Sequence, residues 1–377
     1  MIRQFRVHFI GGVVHRTLTL TINMALCACV AFAADVKVPQ IQAAAERGDV
    51  PREIELAADY YVGRGVPQDA KMAAYWYEKA AESGDPEAQN EVGYLYQMGI
   101  GVPANSARAF HWYQLSSASG YVQAKVNLAI DYLWGFGVPK DQPLAAQLLR
   151  EAASKGSGVA ATYLGDLYYF GIGVSLDKTS AEHWFEAGEK QHDVKAAYNL
   201  GSLYFDIHDH PQDFPKAGKL FRESANAGYV PAMYSLGLLL TKHPELANSP
   251  QEARANLEKA ADSGSWKSSV VLGVLARDGM GVPVDRAAAY YHFQLAILQG
   301  REPVERLLAN DLARLNSELS EDETRNLTAN ANSWFQDRKP ALNFDYKDGT
   351  KSKRFPSLSI MANDEGVHGG QLVPPPA

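Results

Sequence analysis

Hydrophobic residues along the chain recur with a fixed period of 36 residues. In each period an apolar residue, usually leucine, is followed in the first five periods by a tyrosine four residues later. A spacing of four places both side chains on one face of a helix, so each period is predicted to contain a helix with a buried stripe, here called helix A. The apolar residues are Leu56, Val92, Leu128, Leu164, Leu200, Leu236 and Leu272, and the tyrosines are Tyr60, Tyr96, Tyr132, Tyr168 and Tyr204.

A second helix, helix B, is predicted in the other half of each period. An alanine begins its apolar stripe, and a residue that can cap a helix N-terminus stands four residues before that alanine. The alanines are Ala73, Ala109, Ala145, Ala181, Ala217, Ala253 and Ala289. The predicted N-caps are Asp69, Asn105, Asp141, Asp177, Asp213, Ser249 and Asp285.

Glycine and proline separate the two helices. Gly-Val-Pro turns, such as Gly101-Val102-Pro103, connect helix A to helix B. The glycine column that contains Gly84 is predicted to end helix B, where glycine readily adopts a left-handed conformation. The column that contains Gly93 lies beside the apolar residue of helix A and is predicted to let another helix approach closely.

Two antiparallel helices of this kind cannot bury their apolar faces alone, so the repeats are predicted to stack around one continuous core. Half a repeat precedes the first full one, since Ala44–Gly48 resembles Ala80–Gly84. After the last full repeat, two helices are predicted. The first has one apolar face, formed by Val304, Leu307, Leu308, Leu312 and Leu315, and the second begins with a Ser320–Glu323 capping box. The organisation is an N-terminal capping half-repeat at 34–50, seven repeats at 51–300, C-terminal capping helices at 301–338 and a disordered tail at 339–377.

The repeat resembles the Sel-1-like repeat family, a relative of the tetratricopeptide repeats, over about residues 40–300. The resemblance implies an all-α fold, a right-handed α-solenoid of about seven 36-residue helix-turn-helix repeats with helical caps. It also implies an adaptor or scaffold rather than an enzyme. The second repeat carries the family pattern as Ala88, Val92-Gly93, Tyr96, Gly99-Ile100-Gly101-Val102-Pro103, Ala109, Trp112-Tyr113 and Gly120.

Two turns depart from this pattern. Residues 206–215 and 242–250 keep the length of the turn but lose its glycines. They are predicted to have another conformation, either as a structural variant of the turn or as a specialised surface.

The N-terminus resembles a secretory signal peptide at 1–33. Arginines precede an apolar stretch that ends in Ala31-Phe32-Ala33, so cleavage is predicted near Ala33, which gives a periplasmic or secreted protein. The alternatives are an uncleaved membrane anchor and a lipoprotein modified at Cys29. Both cysteines, Cys27 and Cys29, lie in this segment, so the mature chain is predicted to have no disulfide bond and no thiol chemistry.

The charge of the chain gives no indication of a nucleic-acid partner. The net charge is −7 and the isoelectric point is about 5.8.

His208 and His210, with three nearby aspartates, form one metal-like cluster, but the loop supplies no second set of ligands, so no metal site is predicted. Ser175 and Lys178 match a Ser-x-x-Lys nucleophile motif without its companion motifs. No catalytic residue and no cofactor are therefore predicted.

Two classes of function remain. The favoured one is a scaffold that binds a partner protein or peptide of the cell envelope on the concave face of the solenoid, with membrane contact only if Cys29 is lipidated. The alternative is an envelope enzyme that acts on cell-wall material or β-lactams. Aromatic residues at the outward positions of helix A suit an extended or helical partner, unless they only pack between repeats, and burial distinguishes the two. They are Tyr94, Trp134, Tyr169, Phe170, Tyr198, Phe205 and Tyr234, interspersed with Asn90, Gln97, Thr162, Asp166 and Ser202.

Overall fold

The computed structural model describes residues 38–206 and 212–338, which contain helices and no strands. The first helix, α1, covers residues 38–46. Helix A of the seven repeats is α2 (Val50–Val62), α4 (Pro86–Met98), α6 (Val122–Trp134), α8 (Gly158–Phe170), α10 (Val194–Phe205), α12 (Val230–Lys242) and α14 (Trp266–Asp278). Helix B is α3 (Ala70–Glu82), α5 (Ser106–Ala118), α7 (Gln142–Ser154), α9 (Lys178–Lys190), α11 (Phe214–Asn226), α13 (Glu252–Asp262) and α15 (Arg286–Gly300). The chain continues with α16 (Glu302–Glu318) and α17 (Glu321–Arg338).

These helices form two compact units. Unit 1 extends to Asp131 and includes Phe136–Pro139, and unit 2 comprises Tyr132–Gly135 and the chain from Lys140 onward. Within each unit, successive helices pack against each other in pairs, as α2 with α3 and α8 with α9 do. The predicted all-α solenoid of paired helices is confirmed. The predicted signal peptide and tail lie outside the described residues.

The helix N-termini are capped largely as predicted. Asp69, for example, accepts hydrogen bonds from the backbone amides of Lys71 and Met72. The prediction for Ser249 is wrong, because α13 begins at Glu252 and its N-cap residue is Gln251, which makes no side-chain cap bond. The other predicted caps that accept such bonds are Asn105, Asp141, Asp177, Asp213 and Asp285.

The glycine beside the apolar stripe of helix A faces a large side chain of helix B. A Cβ added to Gly93 would lie 2.6 Å from the ring of Tyr113, and one added to Gly273 would lie 2.4 Å from the ring of Phe293. Carbon atoms do not approach so closely, so only glycine leaves room for these rings. The predicted close approach is confirmed, and the partner is the aromatic or leucine residue of helix B in the same repeat.

The turns also bring consecutive repeats together. In three of the turns, the second glycine of the Gly-x-Gly sequence lies against the first residue of helix B in the preceding repeat; these are Gly101, Gly137 and Gly173. In unit 1, a Cβ on Gly101 would lie 1.9 Å from the carbonyl oxygen of Ala70, and one on Gly137 would lie 2.2 Å from that of Ser106. The turn therefore contributes to the stacking of repeats as well as to the connection between helices.

The glycine column at the end of helix B has two exceptions. His192 adopts the left-handed conformation without being glycine, with φ of 59°. Gly300 does not end α15 as predicted, because the helix includes it and Arg301 takes the positive φ instead. A left-handed residue thus ends helix B in both places, although the residue type or its position differs.

One of the two divergent turns lies within the described chain. Residues Pro244–Leu246 form a single turn of 3₁₀ helix, which confirms that this turn differs from the glycine-containing ones. The guanidinium of Arg222 bonds both the carboxylate of Glu252, at 2.6 Å, and the backbone carbonyl of Leu246, at 3.2 Å. These bonds hold the turn against α11. Residues 207–211 of the other turn lie outside the described chain.

The last two helices pack on the final repeat, since both α16 and α17 contact α15. The capping box is confirmed, with the Ser320 amide 2.9 Å from Glu323 Oε2 and the Glu323 amide 3.3 Å from Ser320 Oγ. Val304, Leu308 and Leu315 are buried as predicted. Leu307, expected on the same face, is 61% exposed. It follows Val304 by three residues, which places it about 60° away from Val304 on the side opposite to Leu308.

Candidate partner-binding surface

The seven aromatic residues predicted to contact a partner lie on the helix A elements, but all are at least partly covered. Tyr94 is on α4, in unit 1, and the other six are in unit 2. Six of the seven are half-buried, namely Tyr94, Trp134, Tyr169, Phe170, Phe205 and Tyr234, and Tyr198 is buried. The alternative that these aromatics pack between repeats therefore applies to part of the set.

Tyr198 belongs to the core and not to a binding surface. Its side chain is 1% exposed. The ring lies 5.9 Å from the ring of Phe221 and 5.2 Å from that of Tyr229, measured between centroids. Tyr229, in the turn before α12, covers the side predicted to face outward. The prediction that Tyr198 contacts a partner is thus wrong.

Phe205 and Tyr234 serve mainly in packing. The ring of Phe205 lies 5.9 Å from Phe214 and 6.2 Å from Phe221, both on α11. Tyr234 packs against the cluster that includes Leu257 on the following helix B. Each keeps a partly exposed edge, which is the area that remains for contact with a partner.

Tyr169 and Phe170 form a pair at the C-terminal end of α8. Their rings meet edge to face at 4.9 Å. Lys178 places its ammonium 5.0 Å from the centroid of the Tyr169 ring, and the Tyr169 hydroxyl donates to Asp206 Oδ2 at 3.5 Å. Tyr169 therefore contacts Phe170, Lys178 and Asp206. The pair forms a half-exposed aromatic surface at the end of α8.

The remaining two candidates are Trp134 and Tyr94, whose polar groups have different surroundings. Trp134 has its indole nitrogen buried without a hydrogen-bond partner, so the polar edge of the ring faces inward. Tyr94 is close enough to Tyr113 to raise the pKa of that tyrosine, together with burial, which is the main cause.

Four of the five polar residues expected between the aromatics connect neighbouring repeats instead. The Asn127 amide donates to Asn90 Oδ1 at 2.9 Å, and the Gln97 amide donates to Asp131 Oδ1 at 3.3 Å. In unit 2, Thr162 Oγ1 donates to Asp193 Oδ1 at 2.9 Å, and Ser202 Oγ donates to its own helix at Tyr198. The Asn199 amide donates to Asp166 Oδ1 at 2.8 Å. Asn90, Thr162, Asp166 and Ser202 are buried, so their predicted role in binding a partner is wrong, whereas Gln97 is half-buried.

The sequence contains a signal for these contacts that the prediction did not use. The bonded residues on consecutive helix A elements are 33 to 37 positions apart, close to one repeat. Polar residues at that spacing lie opposite each other in consecutive repeats. The spacing therefore distinguishes polar residues that bond between repeats from those exposed to a partner.

The buried carboxyl groups have altered pKa values. Burial raises the pKa of Asp131 to about 8, and the bond from Gln97 opposes this only in part. Burial likewise raises the pKa of Asp166 well above its usual range. Glu91, on α4, also has a raised pKa because of burial, which Asn90 partly opposes.

The Ser-x-x-Lys sequence has a structural explanation. Asp177, inside the motif, caps α9 and accepts bonds from the amides of Thr179 and Ser180. Lys178 interacts with the Tyr169 ring, and Ser175 is exposed. The positions of Asp177 and Lys178 thus follow from helix capping and aromatic packing.

No group of histidine, cysteine, aspartate and glutamate residues that could hold a metal ion occurs within the described chain. His208 and His210, the two histidines of the metal-like cluster, lie outside it. Among residues 38–206 and 212–338, no helix is both long enough and apolar enough to cross a membrane.

A family model described as the Sel1 repeat matches the chain seven times in succession. The matched segments are residues 53–85, 86–121, 122–157, 158–193, 194–229, 230–265 and 270–300. They correspond to the seven pairs of helix A and helix B. No curated protein sequence matches the chain.

Solved structures are similar to the chain as well. A Sel1 repeat protein from Oxalobacter formigenes is 30% identical, with a TM-score of 0.51, over 56% of this chain and 84% of that one. A protective antigen with an SLR fold from uropathogenic Escherichia coli is 21% identical, with a TM-score of 0.30, over 84% of this chain and 91% of that one. An immunity protein from Pseudomonas aeruginosa is 20% identical, with a TM-score of 0.38, over 66% of this chain and 83% of that one.

Proposed function

Because this chain belongs to the Sel1 repeat family, we propose that it is a scaffold of the cell envelope that binds a partner protein or peptide through its helix A elements. Proteins of this repeat class generally mediate protein–protein interactions. The observation that carries the proposal is the Tyr169–Phe170 pair, whose rings meet at 4.9 Å and stay half-exposed at the end of α8. Rigid aromatic side chains of this kind lose little entropy on binding and dominate many interfaces.

The burial of the polar groups refines this proposal. Since Asn90, Asp131, Asp166 and Asn199 are bonded inside the stack, they are not available to a partner. Recognition is therefore expected to depend on aromatic and apolar contact more than on side-chain hydrogen bonds. Within unit 2, Phe170 is the most suitable contact residue, since its neighbour Tyr169 is held by Lys178 and Asp206 while Phe170 itself lies at the end of the helix.

Replacing Phe170 by alanine is expected to weaken partner capture by at least about 1 kcal/mol, the usual threshold for an important interface residue. The fold should survive, because Phe170 is only half-buried. The measurement is affinity capture from an envelope extract by the full chain, with quantification of bound proteins by mass spectrometry.

The matched control is Tyr75→Ala, which removes an aromatic residue that is 53% exposed on helix B of the first repeat. A protein lost from the Phe170→Ala sample but retained by Tyr75→Ala supports the proposed surface. Equal capture by wild type and both variants would contradict it.

We also propose export, from the charged start and the Ala31-Phe32-Ala33 sequence at the end of the apolar stretch. Cleavage is expected after Ala33, so N-terminal sequencing of the protein recovered from the periplasm should begin at Ala34. A chain that begins at a lipid-modified Cys29 would instead identify a membrane-attached lipoprotein.

A further inference from the structure

Two buried aspartates connect neighbouring repeats through a carboxamide. Asp131, on α6, is 1% exposed and accepts a bond from Gln97 Nε2 on α4 at 3.3 Å. Asp166, on α8, is 2% exposed and accepts one from Asn199 Nδ2 on α10 at 2.8 Å. A carboxamide carries no charge. If either aspartate were ionised, its negative charge would be buried with a neutral partner.

Two other covered carboxylates, one buried and one half-buried, each have a cation beside them. Glu53 is 1% exposed, and the ammonium of Lys79 lies 3.2 Å from its Oε1. Arg222 similarly lies 2.6 Å from Glu252. An unpaired buried charge costs several kcal/mol or is neutralised by a proton. The two aspartates lack the compensation that these glutamates receive.

The groups around Asp131 do not provide a positive charge. Tyr113, on α5, interacts with Asp131 and also with Glu91 and Tyr94 on α4, and each of these groups carries either a negative charge or none. The Tyr113 hydroxyl donates to Gln97 Oε1 at 2.8 Å, and this bond fixes the orientation in which Gln97 donates to the aspartate. The second oxygen of Asp131, Oδ2, is buried and has no hydrogen-bond partner. A bare carboxylate oxygen is costly in that position.

The groups around Asp166 have mixed charge. From α10, Lys195 favours the ionised form and Asp193 opposes it, while Tyr163 lies on the same helix as Asp166 and interacts with Tyr229 before α12. Lys195 is exposed, so water screens its effect. The Oδ1 atom of Asn199 is buried without a donor. A protonated Asp166 has an O–H group that can donate to such an acceptor, whereas a carboxylate has none.

We propose that Asp131 and Asp166 are neutral carboxylic acids in the folded protein, and that the contacts they make between repeats are therefore proton-dependent. The same arrangement occurs once in unit 1 and once in unit 2, each time between consecutive helix A elements. The direction of the pKa values agrees with it, since burial raises that of Asp131 to about 8 and that of Asp166 well above its usual range.

The consequence is that stability falls as the pH rises. Unfolded aspartate ionises near pH 4, but folded Asp131 keeps its proton until about pH 8. Between these values the folded state binds more protons than the unfolded state, so the free energy of unfolding decreases with pH. The contribution of Asp131 is fully present below about pH 4 and is lost as the pH passes through about 8. Asp166 acts in the same direction.

The direct test is an NMR titration of the side-chain carboxyl carbons, assigned in the unmodified full chain. The signal of Asp131 is expected to change near pH 8, and that of Asp166 to change well above pH 4, the usual range of an aspartate. Titration of both carboxyl groups near pH 4 would overturn the proposal. This measurement needs no variant, so it decides the question even if substitutions at these positions prevent folding.

The second test compares melting temperatures at pH 5 and pH 8. Asp131→Asn keeps the shape but cannot ionise, so its melting temperature relative to wild type should rise by several degrees between the two pH values. The control is Asp177→Asn, at an exposed N-cap whose pKa is lowered by bonds from Ser180; its difference from wild type should be constant over this range. A constant difference for Asp131→Asn as well would overturn the proposal.

Discussion

Replacing Gly101 by alanine is expected to destabilise the protein by roughly 2–4 kcal/mol, as the sum of backbone strain and overpacking. Gly101 has φ of +71°, which alanine adopts only with strain. The new Cβ would also lie 1.9 Å from the carbonyl oxygen of Ala70, at the first turn of the preceding helix B. Since this obstacle is backbone, it cannot rotate away as a side chain could. Urea unfolding of the two proteins, followed by circular dichroism, measures the difference.

Gly281→Ala is the matched control. Gly281 occupies the same turn position in the last repeat and has φ of +73°, yet nothing lies within 4 Å of the place that the new methyl group would occupy. The reason is that α13 begins at Glu252 instead of 250, so no first helical turn lies beneath it. The control should lose only the strain component, about 1 kcal/mol. Equal losses in the two variants would show that the turn does not contribute to the stacking of repeats.

The helices could be predicted from the sequence because their signals are local and repeated. The i, i+4 stripe, the capping aspartates and the terminal glycines act within one helix or one turn, and seven copies reinforce each other. Gly93 shows how far this reasoning extends, since the need for close approach could be predicted from its column, whereas its partner Tyr113 could not. The failures at Ser249 and Leu307 occur where the repeat pattern weakens, and there packing decides where a helix begins and which face is buried.

The binding surface could be predicted only in part, because burial depends on the neighbouring repeat. Asn90, Tyr198 and Tyr234 occupy the same position of helix A. Asn90 is 4% exposed and bonded to Asn127, Tyr198 is covered by Tyr229, and Tyr234 remains half-buried. One column thus contains a polar contact, a core residue and a partly exposed residue. The size and chemistry of the opposing side chain determine which of these it becomes.

Gly273→Ala is expected to destabilise the protein by about 2 kcal/mol, in spite of the better helix propensity of alanine. Within a helix, alanine is favoured over glycine by about 1 kcal/mol. Against this, the added Cβ would lie 2.4 Å from the ring of Phe293, which is fully buried and has no space to move into. Overpacking of this kind costs up to about 3 kcal/mol and exceeds the gain in propensity. Gly201→Ala should cost less, since the corresponding distance to Phe221 is 2.9 Å.

Two comparisons separate the clash from a general effect of the substitution, both measured by urea unfolding. Gly218→Ala, inside α11, places its Cβ 3.3 Å from the flexible end of Leu239 and should be neutral or stabilising by up to about 1 kcal/mol.

Phe293→Leu alone leaves a gap and should cost about 1 kcal/mol. Combined with Gly273→Ala, it should cost less than the sum of the two single changes, because the smaller side chain gives the new methyl group space. Additive losses would mean that Gly273 is not needed to leave room for the Phe293 ring. The proposed reason for the glycines at this position of helix A would then be wrong.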